Sequence, residues 1–362
     1  MVITLCGDIS ITQVNRGLWE NGDVQSVFGK IPEIFHNSDR VIVNLECALT
    51  EKDTAIRKFG PNLKGPAVAA DILKEAGVTD CGLSNNHIFD FSKPGMDDTL
   101  HELKRVGLNY TGVGENEEAS RKDLIIQQDG KTVRIITVCE HEYTYAMCDF
   151  PGARPYDPYD TADDIRKAKA EADYVIVMYH GGKEMCRYPS PRLRKLCRAM
   201  ITEGADLVLC QHSHCIGCTE EFSGGTIVYG QGNFHFIYPE HARDPMWREG
   251  LAVQVRLADT ADIRLIPVIT TPTGMDLASD EEAAQILAGI AQRNTELADG
   301  TWLERWHEFC VSMTERYENA VAGFANGGEL DIELFAHYLD CEAHTDVWRE
   351  LYPTFHKSKV SQ

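Results

Sequence analysis

Short apolar runs alternate with segments of helical periodicity along the first 215 residues of the chain. The apolar runs predict strands at residues 2–6, 41–45, 79–83, 174–179 and 206–210. Between them, apolar residues recur every three or four positions and predict helices at residues 67–76, 96–106, 162–172 and 191–203. Alternation of strand and helix is typical of an α/β fold.

Two further groups of strands are predicted outside this alternation. Residues 123–128 and 133–139 flank Asp129-Gly130, a dipeptide typical of a tight hairpin turn. After residue 215 the pattern predicts strands only, at residues 219–222, 226–229, 251–257 and 263–269. We therefore expect a second sheet, or antiparallel strands at the edge of the first.

From about residue 280 the pattern changes to helix alone. Aromatic and apolar residues recur every three or four positions from Trp302 to Phe324, which predicts one face of a long helix that Gly327 ends. Such a stripe is typical of a face packed against another part of the protein. We therefore expect a main α/β domain at residues 1–275 and a helical annex at residues 280–362, packed on it and without chemistry of its own.

Composition and charge disfavour some classes of function. Of 362 residues, 43% are hydrophobic and 25% are charged, as in soluble globular proteins, and no apolar run reaches the ~18 residues of a membrane helix. The 56 acidic residues outnumber the 35 basic ones and give a net charge of −21, which disfavours nucleic-acid binding. Because the N-terminus lacks the pattern of a signal peptide, we expect a cytoplasmic or already processed protein.

The cysteines are candidates for disulfide bonds or for a zinc site. Twelve are scattered along the chain, and we expect most of them to be reduced and buried. Cys215 and Cys218 have the spacing of a zinc knuckle, but no second pair with that spacing follows. Buried cysteines are therefore favoured here, and zinc binding by this pair stays an open alternative.

Polar residues directly follow five of the predicted strands. They are Asp8, Glu46, Asn86 with His87, His180, and His212 with His214. Ligand sites of open α/β sheets lie beyond the carboxyl ends of the strands. The separations from Asp8 to Glu46, from Glu46 to Asn86 and from His180 to His212 are 38, 40 and 32 residues, each long enough for a crossover that keeps the strands parallel. We therefore expect these side chains to share one edge of the fold.

Two carboxylates, an amide and three imidazoles are the ligand set of a site for one or two ions of Mn, Fe or Zn. Glu46 would bridge the two ions. Each residue alone has a commoner explanation as a turn, a helix cap or a hydrogen-bonded histidine, and only their joint occurrence predicts a metal site. His212 and His214 form the strongest pair, because alternate residues of an extended segment point to one side.

Several stretches of the chain carry a resemblance to a known family. They are Gly7-Asp8, Asn44 to Glu46, Phe59 to Pro66, Leu83 to Leu100, Thr111 to Ser120, Met178 to Glu184, Gly204 to His214 and Tyr229 to Phe236. In their order and spacing the sequence resembles the bacterial capsule-synthesis CapA family, also called the poly-γ-glutamate capsule biosynthesis family, within the calcineurin-like metallophosphatase superfamily. The resemblance covers roughly residues 2 to 240.

The resemblance implies a four-layer α/β/β/α sandwich with metal ions at the strand ends. By motif, Asp8 and His214 would bind the first ion, Glu46 would bridge, and Asn86, His180 and His212 would bind the second. His87 would protonate the leaving group, with Asp90 orienting its ring. Where the wider superfamily has Asp-x-His, this chain has Asp8-Ile9-Ser10, so the first position lacks one imidazole.

The leading hypothesis is a metal-dependent hydrolase of phosphoesters, in which a hydroxide held by the ions attacks and His87 assists the leaving group. The same cage could act on a γ-glutamyl or other carbonyl group. A non-catalytic component of capsular polymer biosynthesis with a structural metal site is the competing class. The substrate would be a small or oligomeric anion, and the candidate residues for binding it are Lys64, Lys183, Glu184, Arg187 and Asn233.

Overall fold

A computed structural model describes residues 1–241, 243–258, 260–271 and 274–353. The described strands are β1 Val2–Ile9, β2 Arg40–Leu45, β3 Ala48–Leu49, β4 Lys64–Gly65, β5 Asp80–Gly82, β6 Asn109–Thr111, β7 Val113–Gly114, β8 Leu124–Gln128, β9 Lys131–Cys139, β10 Gly152–Ala153, β11 Tyr174–His180, β12 Leu207–Gln211, β13 Thr219–Phe222, β14 Gly225–Val228, β15 Asn233–His235, β16 Glu249–Leu257, β17 Ala261–Thr271 and β18 Gly274–Leu277.

The described helices are α1 Arg16–Asn21, α2 Val24–Phe28, α3 Pro32–Phe35, α4 Ala69–Ala76, α5 Ser92–Val106, α6 Glu117–Ser120, α7 Pro158–Glu171, α8 Pro191–Glu203, α9 Pro245–Arg248, α10 Asp280–Asp299, α11 Trp302–Ser312, α12 Thr314–Asn326, α13 Glu329–Asp340 and α14 Glu342–Leu351. The helices predicted between the strands of the α/β region are α4, α5, α7 and α8. The short helices α1 to α3, between β1 and β2, were not predicted.

Two large sheets form the centre of the molecule. The first has the order β18-β17-β16-β1-β2-β5-β6, with β15 also paired to β1, and the second has the order β13-β14-β12-β11-β9-β8. In the first sheet β1, β2, β5 and β6 run parallel, and β16 to β18 extend it as antiparallel strands. The strands predicted after residue 215 therefore divide between the two sheets.

Four layers follow from where the apolar side chains lie. Ile3 and Leu5 of β1 meet Ile135 of β9 and Ile176 of β11 in a core between the two sheets. The outer face of the first sheet packs against α2 to α5, and the outer face of the second packs against α7 and α8. Strands buried on both faces are typical of sheets covered by helices. The predicted α/β/β/α sandwich is confirmed.

The helical region after residue 280 differs in detail from the prediction. The stripe from Trp302 to Phe324 belongs to two helices, α11 and α12, which meet at Met313. Trp306 of α11 and Tyr317 of α12 pack in one cluster with α13, α14 and Cys186 of the main domain. The helices thus lie against the α/β region, and residues 354–362 of the predicted annex are outside the described residues.

Two expectations from composition can be compared with the structure. Eleven of the twelve cysteines are buried, Cys215 and Cys218 among them, and Cys148 is exposed. Among the described helices, none has the combination of length and apolar character that a bilayer-spanning segment needs.

Candidate metal centre

The strand ends bring the predicted ligands together. Asp8 lies in β1, Glu46 follows β2, Asn86 follows β5, His180 ends β11, and His212 and His214 follow β12. Ligand atoms of Glu46, His180 and His212 lie within 4.8 Å of one another, and so do those of Asp8, Glu46 and His214. All five side chains are buried. Glu46 belongs to both groups, which is the position of a bridging ligand.

Glu46 has the surroundings of a carboxylate that binds a cation. Its side chain is fully buried, and neither Oε1 nor Oε2 has a hydrogen-bond partner in the described part of the chain. Burial, together with the nearby carboxylate of Asp8, raises the pKa of Glu46 well above its ordinary value. Burying a carboxylate without a hydrogen-bond partner costs folding free energy, and a bound cation would offset that cost. The donor set therefore fits one or two metal ions.

Asn44, which sequence reasoning missed, orients two of the ligands. Its Nδ2 donates to Asp8 Oδ1 over 2.7 Å and lies 3.1 Å from His180 Nδ1. Its Oδ1 accepts a hydrogen bond of 3.0 Å from Asn85 Nδ2. Asn44 stands two residues before Glu46, so the alternation of side chains in a strand was an available signal for it.

Asn86 and His180, both predicted to bind the second ion, lie next to each other. Asn86 Oδ1 lies 3.0 Å from His180 Nε2, and this nitrogen lies 3.5 Å from Glu46 Oε1. Burial lowers the pKa of His180, which keeps the imidazole neutral at neutral pH. Neutral imidazole is the form that binds metal ions.

The turn after β12 presents two histidines in an unusual backbone conformation. His212 has φ 76° and His214 has φ 53°, both in the left-handed region, so the expectation of an extended segment was wrong. Burial, with His180 nearby, lowers the pKa of His212 to about 3. Burial also opposes the charged form of His214, but Glu46 and Asp8 outweigh it and raise the pKa of that ring. Backbone strain of this kind clusters at functional sites.

Asn233 lies behind His214. Its Oδ1 is 2.9 Å from His214 Nδ1, and its Nδ2 donates to Trp247 O over 2.9 Å. Both ends of the buried amide are thus engaged in holding the ring, and the indole of Trp247 lies 4.8 Å from the same imidazole, centroid to centroid. Asn233 thus contacts a predicted metal ligand, and its contact with a substrate stays a prediction.

The backbone of β1 and the backbone before β15 approach each other closely beside Asp8 and Asn233. Asp8 of β1 lies in register with Asn233 of β15. A Cβ at Gly7 would stand 2.5 Å from the backbone oxygen of Gly232, which real side chains do not permit. The glycine before Asp8 is therefore required by packing between these two segments.

His87 lies beside Asp90, as the resemblance implies. His87 Nδ1 is 2.6 Å from Asp90 Oδ2, and Lys58 Nζ contacts Asp90 Oδ1 and lies 3.2 Å from His87 Nδ1. Burial and Lys58 lower the pKa of His87. Burial opposes ionisation of Asp90, but His87 and Lys58 outweigh it and hold the pKa of Asp90 below its ordinary value. Lys58 was not predicted, since it lies in an irregular segment.

The other basic residues predicted to bind substrate each lie close to a carboxylate. Lys183 Nζ is 3.5 Å from Glu184 Oε2, and Arg187 Nη2 is 3.5 Å from Glu249 Oε2. Lys64 Nζ donates to Asp53 Oδ1 over 2.9 Å and lines a cleft of about 600 Å³. Their contact with a substrate stays a prediction.

The fold is a four-layer sandwich that carries two overlapping groups of candidate metal ligands at the carboxyl edge of its sheets. The family model described as "Bacterial capsule synthesis protein PGA_cap" matches residues 2–238, and the chain belongs to this family. All six predicted ligands, together with His87 and Asp90, lie within this range.

Curated relatives agree with this membership. The chain is 30% identical over 284 residues to the capsule biosynthesis protein CapA of Bacillus anthracis, which covers 74% of this chain and 67% of that protein. It is 31% identical over 234 residues to the PGA biosynthesis protein CapA of Bacillus subtilis, which covers 64% of this chain and 62% of the relative. The chain thus spans about two thirds of the length of these relatives.

A solved structure is similar at greater distance. The 5′-nucleotidase precursor of Thermus thermophilus matches 82% of this chain and 60% of its own length, with 15% sequence identity and a TM-score of 0.44. This similarity is too distant to bear on the activity of the chain.

Proposed function

We propose that the protein is a metal-dependent hydrolase that acts on phosphoesters. The observation that carries the proposal is Glu46, a fully buried carboxylate shared by two ligand groups, whose oxygens meet no hydrogen-bond donor in the described ranges. Asp8 and His214 would hold one ion with Glu46, and Asn86, His180 and His212 would hold the other. Bound ions would supply positive charge for the phosphoryl oxygens and lower the pKa of water.

His87 is the residue that we assign to the leaving group. In the protonated form of the His87 ring, Nδ1–H would point to Asp90 Oδ2 at 2.6 Å, and Nε2–H would give its proton to the departing oxygen, which leaves the ring neutral. Asp90 also stabilises the protonated imidazole, while Lys58 opposes it and holds Asp90 in place. The backbone N–H of Leu63 donates to Asp90 Oδ2 over 2.7 Å and fixes that carboxylate further.

The experiment compares metal binding with turnover. Protein stripped of metal is reloaded with Mn, Fe or Zn and assayed on phosphomonoesters, phosphodiesters and γ-glutamyl peptides. We expect turnover of a phosphoester that needs the metal, and a loss of 10²-fold to 10⁴-fold in His87→Ala with metal still bound. His101→Ala, an exposed histidine on α5, is the matched control and should leave turnover unchanged. Unchanged turnover in His87→Ala would rule out the acid role.

One observation favours a second candidate, a non-catalytic protein of capsular polymer synthesis with a structural metal site. Ser10 replaces the imidazole of the wider superfamily, and its Oγ donates to the backbone oxygen of Glu46 over 3.0 Å. This turns the hydroxyl toward the backbone and leaves the first position with three ligands. Full metal loading without turnover of any of the three substrate classes would favour this candidate. Turnover of γ-glutamyl peptides alone would instead favour a carbonyl-directed hydrolase.

A further inference from the structure

Glu142 joins a metal ligand to the C-terminal helices. It lies in the segment after β9, with its side chain 11% exposed. Its Oε2 is 3.4 Å from His212 Nε2, and its Oε1 is 3.5 Å from His337 Nε2 on α13. One carboxylate therefore faces two imidazoles, one from the metal centre and one from the helices after residue 280.

The two nitrogens of His212 have different surroundings. Nδ1 is buried and finds no hydrogen-bond partner among the residues that the structure describes, whereas Nε2 faces Glu142. His212 Nδ1 thus lacks a hydrogen-bond partner, as the Glu46 oxygens do. We therefore take Nδ1 as the atom that faces the cation. A histidine that binds metal usually gives its other N–H to a carboxylate or carbonyl, which fixes the ring and raises its basicity.

His337 is held rigidly on its own side of the contact. Its ring stacks on Tyr143 at 5.0 Å between centroids with an interplanar angle of 21°, and on Phe59 at 6.5 Å with an angle of 20°. The side chain is 9% exposed. Because the match to the family model ends at residue 238, this partner of Glu142 comes from outside the matched region.

We propose that Glu142 is a positioning residue for the metal ligand His212 and that His337 of α13 holds Glu142, so that the C-terminal helices set the metal affinity of the main domain. The proposal rests on the metal-binding part of the proposed function and does not require turnover. The helical annex, which the sequence predicted to be without chemistry, then acts on the site through one carboxylate.

The experiment measures metal affinity in the full chain. Protein stripped of metal is titrated with Mn²⁺, followed by the electron paramagnetic resonance of the free ion, or with Zn²⁺ against a chromophoric chelator. Glu142→Ala should weaken binding by 10-fold to 100-fold. His337→Phe keeps the stacked ring but removes the N–H, and we expect a loss of several-fold. His337→Gln restores an N–H donor and should recover most of that affinity.

Two controls keep the outcome interpretable. His307, also in the annex, forms a similar contact of 2.8 Å with Glu350, so His307→Phe perturbs the annex without touching the centre. Thermal unfolding in EDTA shows whether each variant is folded without metal. If Glu142→Ala and His337→Phe bind metal as the wild type and His307→Phe do, the inference is overturned while the metal site stands. If the wild type binds no metal, the inference and the proposed function both fall.

Discussion

Replacement of Glu46 by leucine tests whether the buried carboxylate is present for a cation. The side chain is fully buried, and both oxygens lack a hydrogen-bond partner among described residues. Leaving a buried polar group unsatisfied costs about 1–3 kcal/mol, and an apolar side chain of similar size removes that cost. We therefore expect Glu46→Leu to raise the free energy of unfolding in EDTA by about 1–3 kcal/mol.

Metal should reverse the order of the two proteins. A ligand that binds only the native state and is present at 100 times its Kd raises the free energy of unfolding by about 2.7 kcal/mol. Only the wild type should gain this stabilisation. The assay is urea unfolding of both proteins, once in EDTA and once in saturating Mn²⁺. The difference between the two conditions isolates the contribution of the metal.

Glu220 provides the matched control for this substitution. It accepts hydrogen bonds of 2.7 Å from both Arg194 Nη2 and Tyr229 Oη, and it also binds Arg198. Glu220→Leu should lower the free energy of unfolding by about 1–3 kcal/mol in either condition, because it leaves the two arginines without their carboxylate. If Glu46→Leu is destabilised in EDTA as much as Glu220→Leu, the carboxylate stabilises the metal-free fold and the reasoning is refuted.

Two further results are expected. Asn44→Ala should weaken metal binding by about 10-fold, measured by titration with Mn²⁺, because Asp8 and His180 lose their shared partner; equal affinity would contradict that role. Burial opposes ionisation of Glu220, but its arginines lower its pKa from 4.5 to about 2, so its stabilisation is complete above the unfolded pKa and is lost as pH falls toward 2. After allowance for solvent screening, the ionised Glu220 contributes about 1–2 kcal/mol to the free energy of unfolding. Glu220→Gln should remove that pH-dependent contribution, measured by urea unfolding.

The sequence was most informative where local pattern and topology act together. Asp8, Glu46 and His180 could be placed because each follows or ends an apolar run, and the carboxyl ends of parallel strands meet at one edge. The four-layer architecture came from the resemblance and from the two groups of strands. These predictions depend on backbone periodicity, which a single sequence displays directly.

Other features depend on contacts that periodicity does not encode. Glu142 and Lys58 lie in irregular segments, and His337 reaches Glu142 over a sequence separation of nearly 200 residues. The break between α11 and α12 at Met313 is not visible in the sequence, because the spacing of apolar residues at intervals of three and four continues across it. The left-handed backbone of His212 and His214 is likewise not encoded by periodicity, because this conformation is uncommon in residues other than glycine.

The position of Trp247 beside His214 has a practical consequence for solution work. Indole emission is sensitive to a neighbouring imidazole and is quenched by paramagnetic ions at short range, and this ring lies 4.8 Å from a predicted ligand. We therefore expect Trp247 to serve as an intrinsic fluorescent reporter of metal binding by Asp8, Glu46 and His214. Addition of Mn²⁺ should dim tryptophan fluorescence in the wild type and leave it nearly constant in Trp247→Phe.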